Sequence, residues 1–277
     1  MSLFVNDTMN SVAYNAHDRN RGLMSELLSG SAGRLQISSL VPSELTWAFL
    51  EGEIDIVLAS PLLYGRRAAD LVLLPGACLA ATGATGEVML RFNAGLGEIA
   101  TLGHYGEANL DTMLAQVLLK EKYGMMPRLL RVTRPPDQVL AEVDALLFTN
   151  DDGMEADTSD QALDLIDEWF DMTLLPFVRE VFLAWDVRVD QTLSTLVSQA
   201  GDVIDDQALK DVERRIQNEM NDTLTQYLPS HYRYRFTDDA LEGLRVFFQL
   251  AFYHGLHRDI PDFRFFTPEN GETELGR

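Results

Sequence analysis

At 277 residues, 46% hydrophobic and 23% charged, the chain is long enough to bury a sizeable core and to form two lobes of an ordinary globular protein. Its formal charge of -21, with lysine only at Lys120, Lys122 and Lys210, describes a surface that repels nucleic acid and anionic membranes. A single cysteine, Cys78, excludes an internal disulfide and a multi-cysteine metal site, and no apolar window approaches the roughly 18 residues of a membrane helix.

The chain begins Met-Ser-Leu-Phe-Val, without the basic and apolar segments of a secretory leader, so a cytoplasmic protein is expected. Residues 3–5 read as a first strand, 6–15 as a polar loop rich in Asn, Asp, Thr and Ser, and 19–29 as a weak helix stopped by Gly30 and Gly33. A strand follows at 35–40. Pro42 opens a short helix in which Leu45, Phe49 and Leu50 recur at helical spacing, and Gly52 ends it in a left-handed turn. Residues 54–59 are an apolar run of buried-strand type. Ser60 and Pro61 suit the N-cap and first residue of a helix over 61–69. A strand end feeding a helix start is where open α/β sheets bind ligands, because free N–H groups point into the crevice.

A strand at 71–74 stops at Pro75-Gly76, and the apolar neighbours of Cys78 mark a buried structural thiol. The small, flexible stretch 81–86 reads as a first crossing between lobes, before a strand over 87–92. A strand at 99–102 leads to the turn 103–106. Leu110, Met113, Leu114, Val117 and Leu118 then form an amphipathic helix closed by Gly124. Strands at 128–132 and 145–149 flank a helix opened by Pro135-Pro136, which gives a β-α-β-α-β unit. The acidic turn 151–157 lacks the glutamate a calcium loop needs at its twelfth position, which is Ala162. A helix over 164–172 precedes the long extended run 174–185, read as a second crossing. Helices follow over 190–199, 204–227 and 237–256. The expected fold class is α/β with two lobes and two crossing strands. Lobe 1 comprises 1–85 and 186–277, lobe 2 comprises 87–180, and the crossings lie near 81–88 and 174–186.

Four stretches of this sequence carry a family resemblance. They are LVPSELTWAFLEGEIDIVLASPLLYG (40–65), LVLLPGACLAATGATGEVML (71–90), DLIDEWFDMTLLPFVREVFLAW (164–185) and HYRYRFTDDALEGLRVFFQLAFYHGL (231–256). The sequence resembles the menaquinone-biosynthesis family of the futalosine pathway, which includes chorismate dehydratase and a naphthoate synthase. The resemblance implies the type II periplasmic-binding-protein fold and a small carboxylate ligand in the cleft between lobes. No zinc motif or dinucleotide fingerprint stands out, so no cofactor and no metal are expected.

The family's Tyr-Leu-Asn-x-x-Pro segment is matched to residues 8–13, which makes Thr8 and Asn10 ligand-binding candidates. Ser60 falls on the family's serine. The hydroxyl-rich turn before the second-lobe helix reads Glu107-Ala108-Asn109-Leu110-Asp111-Thr112 here, and the family's Gly-Asp reads Thr149-Asn150. Asn109 and Asn150 are therefore candidates too. Leu174 stands where the family has glycine.

Glu107 and Asp111 place negative charge at a helix start that would otherwise attract an anion. A cation must offset them if the ligand is a carboxylate. Arg91, on the first crossing strand, is the candidate. Asp111 is either a capping carboxylate or a proton carrier. His104, in a Gly-His-Tyr-Gly turn, is either a general acid/base or a turn histidine. His254 and His257, three residues apart near a helix end, suit the helix dipole better than a metal. Two functions stay open: a lyase of the dehydratase type, and a solute-binding or sensor protein without chemistry.

Overall fold

The computed structural model describes residues 9–92, 98–149, 162–185, 189–219 and 231–267. The expected strand at 3–5, Thr8, Asn150 and the acidic turn 151–157 lie outside them. The first elements are β1 (Asn10–Asn15), α1 (Asp18–Gly30), β2 (Leu35–Leu40), α2 (Pro42–Leu50), β3 (Ile56–Ala59), α3 (Pro61–Arg67) and β4 (Leu71–Ala81). A second group holds β5 (Val88–Phe92), β6 (Thr101–His104), α4 (Leu110–Tyr123), β7 (Arg128–Arg131), α5 (Pro136–Val139), β8 (Ala145–Thr149), β9 (Ala162–Asp164) and α6 (Leu165–Thr173). The chain ends with β10 (Phe177–Trp185), α7 (Gln191–Glu219), β11 (Tyr232–Arg235) and α8 (Asp238–Tyr253).

These elements make a two-lobed α/β structure with one sheet in each lobe. A six-stranded sheet has the order β11-β4-β10-β3-β1-β2, and a five-stranded sheet the order β7-β6-β8-β5-β9. In the first, β1 pairs in parallel with β2 and β3, while β10 returns antiparallel between β3 and β4. In the second, β6 is parallel to β7 and β8, and β5 runs antiparallel to β8. The parallel strands β1 and β3 read as continuous apolar runs at their centres because both sheet faces are covered. Val12, Ala13 and the whole of β3 are buried.

Sequence punctuation does much of the local work. Ser60 caps α3 by accepting the Leu62 N–H, with Pro61 at the first helical position. Gly52 and Gly124 take the left-handed conformation that ends α2 and α4. Asp164 caps α6 through one oxygen, while the other accepts the N–H groups of Thr85 and Gly86 at 2.7 and 2.6 Å. The same carboxylate thus starts a helix and pins the segment that enters β5.

Three local expectations are corrected, and one strand is added. Residues 10–15 are not loop but strand β1: pairing with β2 and β3 and the burial of Val12 and Ala13 on opposite covered faces outweigh the polar residues around them. Pro75-Gly76 does not stop β4, which continues to Ala81 through a register shift. There Gly76 lies so close to α7 that a side-chain carbon would fall 1.9 Å from Ser198 Oγ. The helices expected over 190–199 and 204–227 are one helix as far as Glu219. Gly201 is not a break in it: a methyl group there would meet Ala77 Cβ at 2.7 Å, so glycine lets the helix lie against the kinked strand. Finally, Tyr232-Arg233-Tyr234-Arg235, whose alternation went unread, forms β11 on β4.

The largest core cluster draws on both sheets. Phe49, Val57 and Leu79 belong to it, and so do Leu102, Leu114 and Ala145. Trp169 of α6 meets Phe177 of β10 and Phe247 of α8 at centroid distances of 5.6 and 6.0 Å. Helix α8 approaches β10 closely: a side-chain carbon on Gly243 would lie 2.2 Å from the carbonyl oxygen of Pro176.

Among the described residues, two non-glycine residues take left-handed backbone, Ala32 at φ 51 and Leu174. Leu174 ends α6 at φ 58, ψ 18, and its side chain is 74% exposed. An L-residue with a side chain pays about 1–2 kcal/mol for that conformation, and an exposed leucine recovers little by packing. Leu174→Gly should therefore raise stability by about 0.5–1 kcal/mol after the entropy of the freer unfolded chain is counted. Urea unfolding checks this, with an unchanged m-value and a higher midpoint expected.

Candidate functional site

The parallel strands β1 and β3 deliver their C-terminal ends, Asn15 and Ser60, to the gap between the sheets. Across the gap stands the start of α4. Asn109 caps it: its Oδ1 accepts the N–H groups of Asp111 and Thr112 at 3.0 and 3.2 Å, and Thr112 Oγ1 accepts the N–H of Asn109. A cavity of about 170 Å³ lies here, lined by Asn15, Arg19, Ser60, Asn109, Asp111, Arg179 and Glu180 among others.

Strand β10 supplies the floor, by an irregular route. Val178 pairs with Ala80 and Glu180 with the next residue, Leu79, so Arg179 is an inserted residue in a β-bulge. In a regular strand, neighbouring side chains point to opposite faces. At the bulge, Arg179 and Glu180 both reach the cavity.

The charges there are buried and interlocked. Arg179 Nη1 lies 3.0 Å from Asp111 Oδ1, and Nη2 donates to Oδ2 at 3.5 Å. Both side chains are under a tenth exposed. Glu180 accepts from Asn20 Nδ2 at 2.8 Å and from Arg19 Nη2 at 3.3 Å, and Arg19 Nη1 donates to Glu87 at 2.6 Å. Burial pushes the Glu180 carboxyl above the usual range, against the pull of Arg19 and Asn20. A carboxyl raised in this way favours folding while the pH is below the ordinary glutamate range, and that contribution is lost as pH climbs through its folded value. The Arg179 guanidinium is held above its usual range because the attraction of Asp111 and neighbouring groups outweighs burial. Burial raises the phenols of Tyr232 and Tyr234 as well, the latter to about 12, so both are neutral neighbours of this cluster.

The structure brings together Ser60, Asn109 and Asp111 of the residues singled out in the sequence. Asn10 opens β1 beside Leu35, at the end remote from the cavity. Asn15 holds the cavity end of the same strand, about 17 Å along it at the usual strand rise. Arg91 pairs with Leu146 in the body of the second sheet and is not among the cavity's lining residues. The cation that offsets Asp111 is Arg179, while Glu107 is paired on the surface with Arg131. His104 is buried at the end of β6, with Nδ1 3.4 Å from the Tyr105 carbonyl oxygen, and does not line the cavity. Arg179 and Glu180 were missed altogether. Their signal was two adjacent charges inside the apolar run 177–185. Cys78 is buried, and its thiol is pushed up by that burial, as befits a structural residue.

Removing one partner of a buried ion pair leaves the other charge uncompensated, at a cost of about 3–5 kcal/mol. Arg179→Met is expected to lower unfolding stability by that amount. Adding Asp111→Leu should recover most of the loss, read as a coupling energy in a double-mutant cycle by chemical denaturation.

The family model for menaquinone biosynthesis matches residues 16–253. Among solved structures, an Archaeoglobus fulgidus protein is similar with a TM-score of 0.57 at 15% identity, covering 89% of this chain and 97% of its own. An ABC transporter protein from Parabacteroides distasonis gives a TM-score of 0.60 at 14% identity, with 95% and 100% covered. The periplasmic aliphatic sulphonate binding protein of Escherichia coli gives 0.58 at 15%, with 97% and 95% covered. At these identities the likeness is one of fold. Among the described residues, no helix is long and apolar enough to cross a membrane.

Proposed function

The chain belongs to the menaquinone-biosynthesis family, and from that premise we propose that its interlobe cavity binds a small carboxylate on Arg179. The observation that carries this reading is a guanidinium under a tenth exposed, on a bulge, whose counter-ion comes from the start of α4 across the gap. A planar guanidinium suits a carboxylate because two parallel N–H groups meet its two oxygens. Ser60, Asn109 and Asn15 surround the same space and supply polar contacts for the rest of the ligand. On this reading the lobe of the six-stranded sheet, β10 included, and the lobe of the five-stranded sheet close on the ligand, with hinges in the two segments that join them. The protein works in the cytoplasm, as expected of a biosynthetic step.

The reaction that fits is a carbon–oxygen lyase step on a ring carboxylate, as in chorismate dehydration. A base removes a ring proton, the C–H electrons form the new ring double bond, and the hydroxyl departs with a proton as water. Aromatisation of the ring makes the step easy, so the protein need only hold the carboxylate and accept one proton. Asp111, once a ligand carboxylate takes its place on Arg179, is the proton acceptor in reach. His104 is a weaker choice because it does not line the cavity.

A second reading, a binding or sensor protein without chemistry, is favoured by one observation. Both carboxylates that line the cavity are already engaged, Asp111 by Arg179 and Glu180 by Arg19 and Asn20.

Incubation of the purified protein with chorismate separates the two. A dehydrated aromatic product, absent from the Asp111→Asn variant, supports the lyase; bound and unchanged chorismate supports the binding protein. Arg179→Lys keeps the charge beside Asp111 but loses the planar fork, so carboxylate affinity measured by calorimetry should fall by about 10–100-fold. An unchanged affinity would remove Arg179 from the site.

A further inference from the structure

Two buried guanidiniums line the cavity, and they are not equivalent. Arg19 is held by Glu87 at 2.6 Å and by Glu180 at 3.3 Å. Arg19 stands on α1 and Glu180 on β10, both packed in the lobe of the six-stranded sheet, and Glu180 is held further by Asn20 of the same helix. Opening the cleft keeps Arg19 with Glu180, while Glu87, which leads into β5, stays with the other sheet. Arg179 has its counter-ion on α4, across the gap. That pair parts when the lobes part, and its guanidinium is the one a ligand can take over.

The charges point the same way. Arg19 and Arg179 face three carboxylates, those of Glu87, Glu180 and Asp111, while the nearby phenols of Tyr232 and Tyr234 are neutral. A ligand carboxylate that replaces Asp111 leaves this balance unchanged. A second one enters a site already short of positive charge, where Arg19 is still held by Glu180. Like charges a few ångströms apart in a partly dry site repel by several kcal/mol, about 4 kcal/mol at 4 Å and an effective dielectric of 20.

We propose that the cleft selects a ligand with a single carboxylate, which exchanges with Asp111 on Arg179, and that Asp111 is the residue that sets this selectivity. The proposal rests on the carboxylate reading above. Among the ligands that reading admits, it favours monocarboxylates over chorismate, which carries two.

The test is a calorimetric titration of the full chain with benzoate and isophthalate, identical rings that differ by one carboxylate. Wild type should bind benzoate at least tenfold more tightly. Asp111→Asn removes the internal counter-ion and keeps its shape; it should tighten both ligands, and isophthalate more, so that the ratio shrinks. Isophthalate binding equal to or tighter than benzoate in wild type overturns the selectivity and leaves carboxylate binding standing. A ratio unchanged in Asp111→Asn overturns the role of that residue. If neither ligand binds either protein, the carboxylate reading falls, and the selectivity with it. Should thermal unfolding show that Asp111→Asn is not folded, the wild-type ratio decides alone.

Discussion

The chemistry of the cleft hangs on one extra residue in β10. Without the bulge, the alternation of a strand would send Arg179 and Glu180 to opposite faces of the sheet. With it, a cation and an anion that are neighbours in sequence both enter the gap between lobes. Each is then used in a different direction. Arg179 reaches across to α4, and Glu180 stays with α1 on its own side. One local irregularity therefore supplies both an interlobe contact and a fixed acidic wall.

Burying such groups is costly, and the arrangement shows how the cost is met. Each of these buried carboxylates has a guanidinium or amide donor within hydrogen-bond reach. A buried pair is seldom a large net source of stability, because desolvation offsets most of its attraction. What it does supply is directionality. Hydrophobic contacts across the gap would tolerate several lobe orientations, whereas the Arg179–Asp111 pair is satisfied in few. Asn109 matters in the same way: by capping α4 it satisfies the helix start and leaves the Asp111 side chain available to Arg179.

The core around the cleft packs elements of both sheets together. Trp169, Phe177, Phe247 and Phe248 join α6, β10 and α8 into one aromatic cluster. The segment after α8 adds a clasp to the same cluster. Phe265 bridges to Leu73, and Tyr64 Oη both donates to the Asp262 carbonyl and accepts the Arg264 N–H. Between the sheets, Asp164 ties down the segment that enters β5.

Local chemistry was legible in the sequence wherever the deciding partners are close in the chain. Ser60-Pro61 starts α3, Gly52 and Gly124 end α2 and α4, and the apolar spacing from Leu110 makes α4, all by interactions within a few residues. The family resemblance, carried by motifs along the chain, gave the two-lobed fold. It also gave the need for a cation opposite Asp111, since charge at a helix start follows from sequence alone. Which arginine answers that need was decided by tertiary structure. Arg179 lies 68 residues from Asp111, and it faces the cleft only because a bulge changes its register against β4. The same holds for β1: the polar composition of 10–15 suggests a loop, but pairing with β2 and β3 makes it a strand and carries Asn15, not Asn10, to the site. Composition and short-range spacing fix caps, stops and helices, because those bonds are local. Side-chain direction at a strand depends on register with neighbours far away in sequence, and the site is made of such directions.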